Sequence, residues 1–417
     1  MIKFTYFKFI LLFAICCITG CKESGNMGQG GFVTVSGMDL IKPDGTKLLI
    51  KGTNLSNWLN PEGYMFNFGE VNSPTRINQM FCELVGPSYT ARFWKDFKDN
   101  YVTHDDIRFI ASCGANTIRI PFHYKIFTDE DYMGITSSGD GFSRIDSILS
   151  WCRDAGLYVI LDMHDAPGGQ TGYNIDDSYG YPWLFESRED QDLFCEVWQK
   201  IASYYKDEPL ILGYELLNEP IASYFPNMDI LNLQLEPLYK RATAAIREVD
   251  KNHIIILGAP QWNLNFKVFT DAQFDDKLMY TCHKYNGEPT SEGIRDFIAF
   301  RDSVNLPMYM GEIGHNPDEW QEAFCEVMEE NNIGYTFWPY KKVGNQAFVS
   351  VKEPDGWKSV RKFAETPRMS YRDIYIARPN QDSARCALKT FIENSRFENC
   401  IVNESYIASL RLKPSND

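Results

Sequence analysis

Glu219 and Glu312 are the residues of this chain whose setting points most directly to chemistry, since each acid closes a short apolar run, in Leu217-Asn218-Glu219-Pro220 and in Met310-Gly311-Glu312-Ile313-Gly314. A carboxyl in apolar surroundings is costly unless it is paired or used. Two carboxyls facing each other across a bound sugar can split a glycosidic bond: one protonates the departing oxygen while the other attacks the anomeric carbon. A carboxyl separation of about 5–5.5 Å implies a covalent glycosyl intermediate and retention, whereas about 6.5–9.5 Å leaves room for a water and implies inversion. Other polar residues end apolar runs in the same way: Arg119, His164, Asn218, His283 with Tyr285, and Trp338.

Residues so far apart in the chain can meet only if the elements carrying them converge. Eight β-rich runs are legible, at residues 48–54, 116–122, 157–164, 211–218, 254–259, 278–283, 308–313 and 334–338. Helix-period segments lie between them, among them residues 105–113, 145–155 and 193–205. This alternation predicts an α/β fold, a (β/α)₈ TIM barrel whose parallel sheet is covered on both faces. The C-terminal ends of barrel strands share one face, so a fourth strand ending at Glu219 and a seventh ending at Glu312 would open onto one cleft. Residues 32–35 and 39–41, with the turn Pro43-Asp44-Gly45, read as an N-terminal β-hairpin able to plug the barrel bottom. No low-complexity break interrupts residues 32–369, which read as one catalytic domain. Residues 370–417, helical over 384–394, read as a helical C-terminal extension on the barrel's outside.

The run Leu217 to Pro220 resembles the acid/base motif of glycoside hydrolase family 5, the clan of retaining barrels that includes cellulases, mannanases and exo-β-1,3-glucanases. Met310 to Gly314 resembles that family's nucleophile strand, and the resemblance continues in order through Arg119, His164, His283, Tyr285 and Trp338. It spans residues 32 to about 364. It implies Glu219 as acid/base and Glu312 as ionised nucleophile, the latter held by Arg119 and the Tyr285 hydroxyl. Asn218 would bond the sugar 2-hydroxyl, His164 and His283 would line the sugar site as neutral donors, and Trp338 would form its floor. Two loops are similar to the exo-β-1,3-glucanase and cellulase-like branch: Asp162 to Gly172, and Gly52 to Trp58 with Glu62 beyond it, an acid placed there to grip a terminal glucose. Asn57 and Asp165 stand where that branch has glycines, and Trp338-Pro339-Tyr340-Lys341 departs from its eighth strand, so exo and endo action both stay open.

The implied activity is a retaining O-glycoside hydrolase acting on β-glucans or β-glucosides by double displacement. An envelope transglycosylase on the same glucans would share every catalytic residue. A glycan-binding lipoprotein without catalysis is a third reading, opposed by the retention of both acids. A net charge of −15 disfavours nucleic acid or an anionic surface as partner, and nine Trp with 23 Tyr suit stacking on sugars.

Two lysines among residues 1–8 precede an apolar run, residues 9–18, too short to stay in a bilayer as a spanning helix. Ile18-Thr19-Gly20-Cys21 then reads as a bacterial lipobox. Residues 1–20 are expected to be a lipoprotein signal peptide, Cys21 the lipidated residue and residues 21–31 a polar, Gly-rich tether. The protein is accordingly expected to be lipid-anchored at the cell envelope of a bacterium. The eight later cysteines form no CxxC and no zinc spacing; Cys386 with Cys400 is the candidate disulfide, the others reading as free thiols. Asp162-x-His164 could begin a metal site, but no third and fourth ligand can be placed. No metal or cofactor is expected.

Overall fold

A computed structural model describes residues 31–413; the expected signal peptide, Cys21 and all but the last residue of the tether lie outside the described residues. The chain opens with three short antiparallel strands, β1 (Thr34–Ser36), β2 (Asp39–Ile41) and β3 (Lys47–Leu48). The eight barrel strands follow: β4 (Lys51–Asn54), β5 (Thr117–His123), β6 (Tyr158–Asp165), β7 (Ile211–Glu215), β8 (Ile254–Gly258), β9 (Leu278–His283), β10 (Met308–Ile313) and β11 (Gly334–Phe337). They pair in parallel, each with its sequence neighbours, and β11 closes onto β4 to complete the barrel. Apart from the first residue of β4, every barrel-strand position is buried. Flanking helices such as Arg188–Tyr205 and Met228–Val249 cover the outer face. Two-sided cover is why these strands read as unbroken apolar runs instead of alternating ones.

The N-terminal strands plug the barrel. Val33, Leu40 and Leu48 pack with Tyr158, Ile160, Ile254, Ile256 and Met279 as one apolar cluster inside its lower end. Two sequence expectations are corrected here. The hairpin is a three-stranded meander, because Pro43-Asp44-Gly45 connects β2 to β3 and not β1 to β2. The expected first strand, 48–54, is also two strands: Leu48 pairs antiparallel with Leu40, while Gly52 pairs parallel with Thr117. The chain must turn between those partners, which one continuous strand cannot do.

The C-terminal extension is helical over Gln381–Ser395 but is not wholly helical, a third correction. Strands β12 (Lys341–Val343) and β13 (Val349–Val351) follow the barrel, and β14 (Ile401–Val402) from the extension pairs antiparallel with β13. A two-residue strand is too short to carry a readable period. Phe391 stacks on Trp357 at 4.5 Å and lies 5.3 Å from Phe66 in the loop after β4, so the extension buttresses the first loop of the barrel's upper face. The expected Cys386–Cys400 disulfide is absent: Cys386 is exposed on its helix, whereas the Cys400 thiol turns toward the carbonyls of Asn394, Ser395 and Arg396 at 3.4–3.6 Å. Among the described residues no helix is long and apolar enough to cross a membrane.

Candidate active site

Alternation along β5 sends Arg119 into the barrel, where it is fully buried. Its guanidinium forks onto Glu215, Nε to Oε2 at 3.0 Å and Nη2 to Oε1 at 2.7 Å. Nη1 donates to Glu312 Oε1 at 2.8 Å and to Asn54 Oδ1 at 2.9 Å. Nη2 lies 2.9 Å from Asn218 Oδ1 and 3.0 Å from Asp162 Oδ2. One cation thus sits among three carboxylates delivered by β6, β7 and β10. Burial pushes the Glu215 carboxyl up, against the pull of Arg119, and the Tyr309 hydroxyl donates to it. Removing Arg119 would leave these buried carboxylates without their cation, at a cost of about 3–5 kcal/mol. The sequence reading missed Glu215, although its signal was present: an acid inside the apolar strand Ile-Leu-Gly-Tyr-Glu must find a cation.

Glu312 is held from both sides, its Oε2 accepting from the Tyr285 hydroxyl at 2.6 Å. Burial acts to raise this carboxyl, but His283, Arg119, His164 and the Tyr285 hydrogen bond outweigh it and hold it at about 2. Gly311, just before it, is required by space: a Cβ there would fall 2.3 Å from Thr281 Oγ1 and 3.0 Å from His283 Nε2. Glu219 lies beyond the end of β7 with φ of +42°, and its Oε1 is 2.9 Å from His283 Nδ1. The same nitrogen is 3.5 Å from Glu312 Oε2. Glu219 and Glu312 bring carboxylate oxygens within 4.8 Å of one another. That spacing fits retention; the about 6.5–9.5 Å gap of inverting sites is not met.

Both acids open into a cavity of about 460 Å³. Trp338 walls it, stacked on His164 with ring centroids 5.2 Å apart and planes 5° from parallel, its indole N–H donating to the Tyr64 hydroxyl. His164 meets Asp162 Oδ2 through Nδ1 at 2.7 Å and lies 3.5 Å from Glu62 Oε1 through Nε2. Burial opposes a charge on this ring, but Asp162 and Glu62 raise its basicity well above the usual histidine range. Both ring nitrogens thus face carboxylates, which suits a charged ring and corrects the neutral donor expected there; the Asn218 amide nitrogen lies 3.3 Å from Nε2, its oxygen being taken by Arg119.

Glu62 is no exposed loop acid; it is 3% exposed, and burial raises its carboxyl. Asn57, which stands where the resembling branch has glycine, has φ of +62°, and its Oδ1 accepts the Glu62 N–H at 3.1 Å. Asparagine tolerates this left-handed conformation and here uses its side chain to fix the loop that carries Glu62.

Of the nine residues singled out for chemistry, six line the cavity: Glu219, Glu312, His164, Tyr285, Trp338 and Glu62. Arg119, Asn218 and His283 lie behind them, bonded to Glu312, His164 and Glu219. Tyr64, Ile175, His315, Lys342 and Gln346 complete the wall; they sit in loops, a 3-10 turn and the short β12, where no periodicity marked them. Lys342 Nζ lies 3.4 Å from His315 Nδ1. Burial brings this lysine down to about 8, and burial with the lysine charge brings His315 down to about 4.

Among the described residues, two clusters have metal-ligand atom types within reach of one another, Glu219–His283–Glu312 and His123–Asp165–Asp177. The first is the facing carboxyl pair itself. In the second, His123 Nδ1 accepts from the Lys125 N–H at 3.2 Å, so its proton lies on Nε2, which faces Asp177 Oδ2 at 3.3 Å. That is a hydrogen bond, and it leaves no lone pair on Nε2 for an ion. Asp162, which the sequence offered as half of a metal step, is occupied by Arg119 and His164.

The model of the cellulase family, glycosyl hydrolase family 5, matches residues 74–344. A β-xylosidase of Phanerodontia chrysosporium is 27% identical over 77% of this chain and 73% of its own length. Endoglucanase C of Acetivibrio thermocellus is 27% identical over 63% of this chain and 90% of its own. The β-glucanase SdGluc5_26A from Saccharophagus degradans, solved with cellotetraose, superposes with a TM-score of 0.52 at 15% identity, covering 88% of this chain and 94% of that one, which supports the fold. The chain is a glycosidase and belongs to glycosyl hydrolase family 5.

Proposed function

We propose that this protein hydrolyses β-glucans or β-glucosides with retention, by double displacement through a glycosyl-enzyme. One observation carries the proposal: two carboxyls with oxygens within 4.8 Å, one in the loop after β7 and one near the end of β10, facing one cavity. In the first step Glu312 attacks the anomeric carbon while Glu219 gives its proton to the departing oxygen. In the second, Glu219 takes a proton from water, whose oxygen displaces Glu312 from the sugar. Arg119 and Tyr285 keep the nucleophile ionised before attack and receive it again as the departing carboxylate in the second step. Asn218 has an amide hydrogen to offer the 2-hydroxyl, and Trp338 supplies an apolar face beneath the ring. A β-glucan or β-glucoside fits the names of the endoglucanase relative and of the β-glucanase neighbour.

The buried Glu62, with Tyr64 and Trp338, walls one side of the cavity, which favours a chain end over the middle of a polymer. A time course of product lengths on laminarin, mixed-linkage glucan and cellulose oligomers should show glucose accumulating first. A ladder of intermediate oligomers at early times would overturn the chain-end reading.

We further propose that the enzyme works at a bacterial cell envelope, tethered through a lipid on Cys21. The lipobox and the polar stretch after it support this reading. Cys21→Ser should move the activity from the detergent phase to the aqueous phase of a Triton X-114 partition. A wild-type protein already in the aqueous phase would contradict it.

A further inference from the structure

Glu219 sits in a backbone conformation that a glutamate does not adopt on its own. Its φ is +42°, and Ile221 follows at +53°. Both lie in the left-handed region, where a Cβ crowds the following carbonyl, so the surroundings must hold them there. Gln261, beyond β8, donates to the Ile221 carbonyl at 2.9 Å; the groups beside Glu219 come from the loop after β6. Gln170 and Thr171 run beside residues 218–222, with Ile221 N donating to Gln170 O at 2.8 Å and Ala222 N to Thr171 O at 2.9 Å. The Gln170 amide bridges the His164 and Asn218 carbonyls at 2.8 and 2.9 Å. The Thr171 hydroxyl donates to the carbonyl of Glu219 itself at 2.9 Å. The buried Asp176 fixes this pair in turn, its Oδ2 accepting from Gln170 N at 3.0 Å and Thr171 N at 2.8 Å.

We infer that Thr171 is a positioning residue for the acid/base: its hydroxyl, on a strap anchored by Gln170 and Asp176, fixes the Glu219 peptide and so aims the Glu219 carboxyl at the departing oxygen. This rests on the acid/base role proposed above for Glu219. Thr171 is buried and does not line the cavity; all its polar contacts are to backbone or, through its N–H, to Asp176. Its effect is therefore confined to the two proton transfers of Glu219, of which kcat/KM across a leaving-group series reads the first. Gln170 also touches the His164 carbonyl, so its loss would disturb the sugar site more broadly; Thr171 isolates the acid/base.

The test is a leaving-group series. Thr171→Val keeps the side-chain shape and deletes the hydroxyl; Thr171→Ala is a second hydroxyl-free variant in case valine folds poorly, and Thr171→Ser restores the donor. Kinetics are measured with aryl β-glucosides from dinitrophenyl to unsubstituted phenyl, with Glu219→Ala as reference. The hydroxyl-free variants should lose activity increasingly as the leaving group becomes more basic, by about ten- to a hundredfold for phenyl glucoside, as for a misplaced catalytic group, with Thr171→Ser close to wild type. An equal loss across the series, no loss, or failure of serine to restore the phenyl rate would overturn the inference. If Glu219→Ala itself shows no leaving-group dependence, the acid/base assignment falls instead; if only the Thr171 variants lack it, that assignment stands and the strap proposal falls.

Discussion

Glu312→Ala should reduce turnover of every β-glucoside, activated or not, by on the order of 10⁴- to 10⁶-fold, the scale seen when a covalent nucleophile is removed. Two features of the site set this expectation. Arg119 donates to Glu312 at 2.8 Å and Tyr285 at 2.6 Å, so both carboxylate oxygens are fixed and ionised before substrate arrives. The variant would leave Arg119 with Glu215 and Asp162 as carboxylate partners. It should therefore fold, and near-ultraviolet circular dichroism checks this separately from the rate. Wild-type rates in a folded Glu312→Ala protein would remove the nucleophile assignment.

The same contacts fix a pH dependence. A carboxyl held at about 2 is depressed below the usual glutamate value, near 4.3 or about that in model peptides. Its contribution to stability is present above that ordinary value and fades as pH falls through about 2. The nucleophile accordingly stays ionised across the working range. Tyr285→Phe removes one donor to the charged form and should move the acidic limb of kcat/KM upward. Burial keeps the wild-type phenol protonated, so it remains a donor throughout.

Glu219→Ala should behave differently from Glu312→Ala, and the difference separates the two roles. A general acid contributes about 10²–10⁴-fold. That loss should be large for phenyl or alkyl glucosides and small for dinitrophenyl glucoside, whose phenolate departs without a proton. Hydrolysis of the glycosyl-enzyme also needs Glu219, as base, so with the activated substrate this second step becomes limiting. Azide needs no base and is small enough for the space left by the side chain. Added azide should restore turnover and yield the β-glucosyl azide, as attack from the face opposite Glu312 requires. An α-azide product, or equal loss across all leaving groups, would contradict the retaining mechanism read from carboxylate oxygens lying within 4.8 Å of one another.

Much of this protein was legible in the residues because the relevant patterns are local. Apolar runs of strand length with a polar residue at each end are written in consecutive positions, so the eight strands, their order and the candidates at their ends could be read directly. The boundaries failed where local pattern meets a change of partner: residues 48–54 look like one strand but serve two sheets. Ile401–Val402 is too short to show any period.

What the tertiary structure alone decided are relations between side chains on different strands. The Glu219–Glu312 spacing follows from barrel closure and from a left-handed turn after β7 that a strap from the β6 loop holds in place. The partners of Arg119 follow from which strand interiors face it, and they brought in Glu215, which had been passed over as part of an apolar run. The contact of Asn218 with His164 depends on an amide oriented by that same arginine. The wall of Tyr64, His315, Lys342 and Gln346 comes from loops, a 3-10 turn and the short β12, whose courses are set by what they pack against and not by any repeat in their own residues. Sequence periodicity specifies which elements form and which way their side chains point. Distances of a few ångströms between groups far apart in the chain exist only once the barrel has closed.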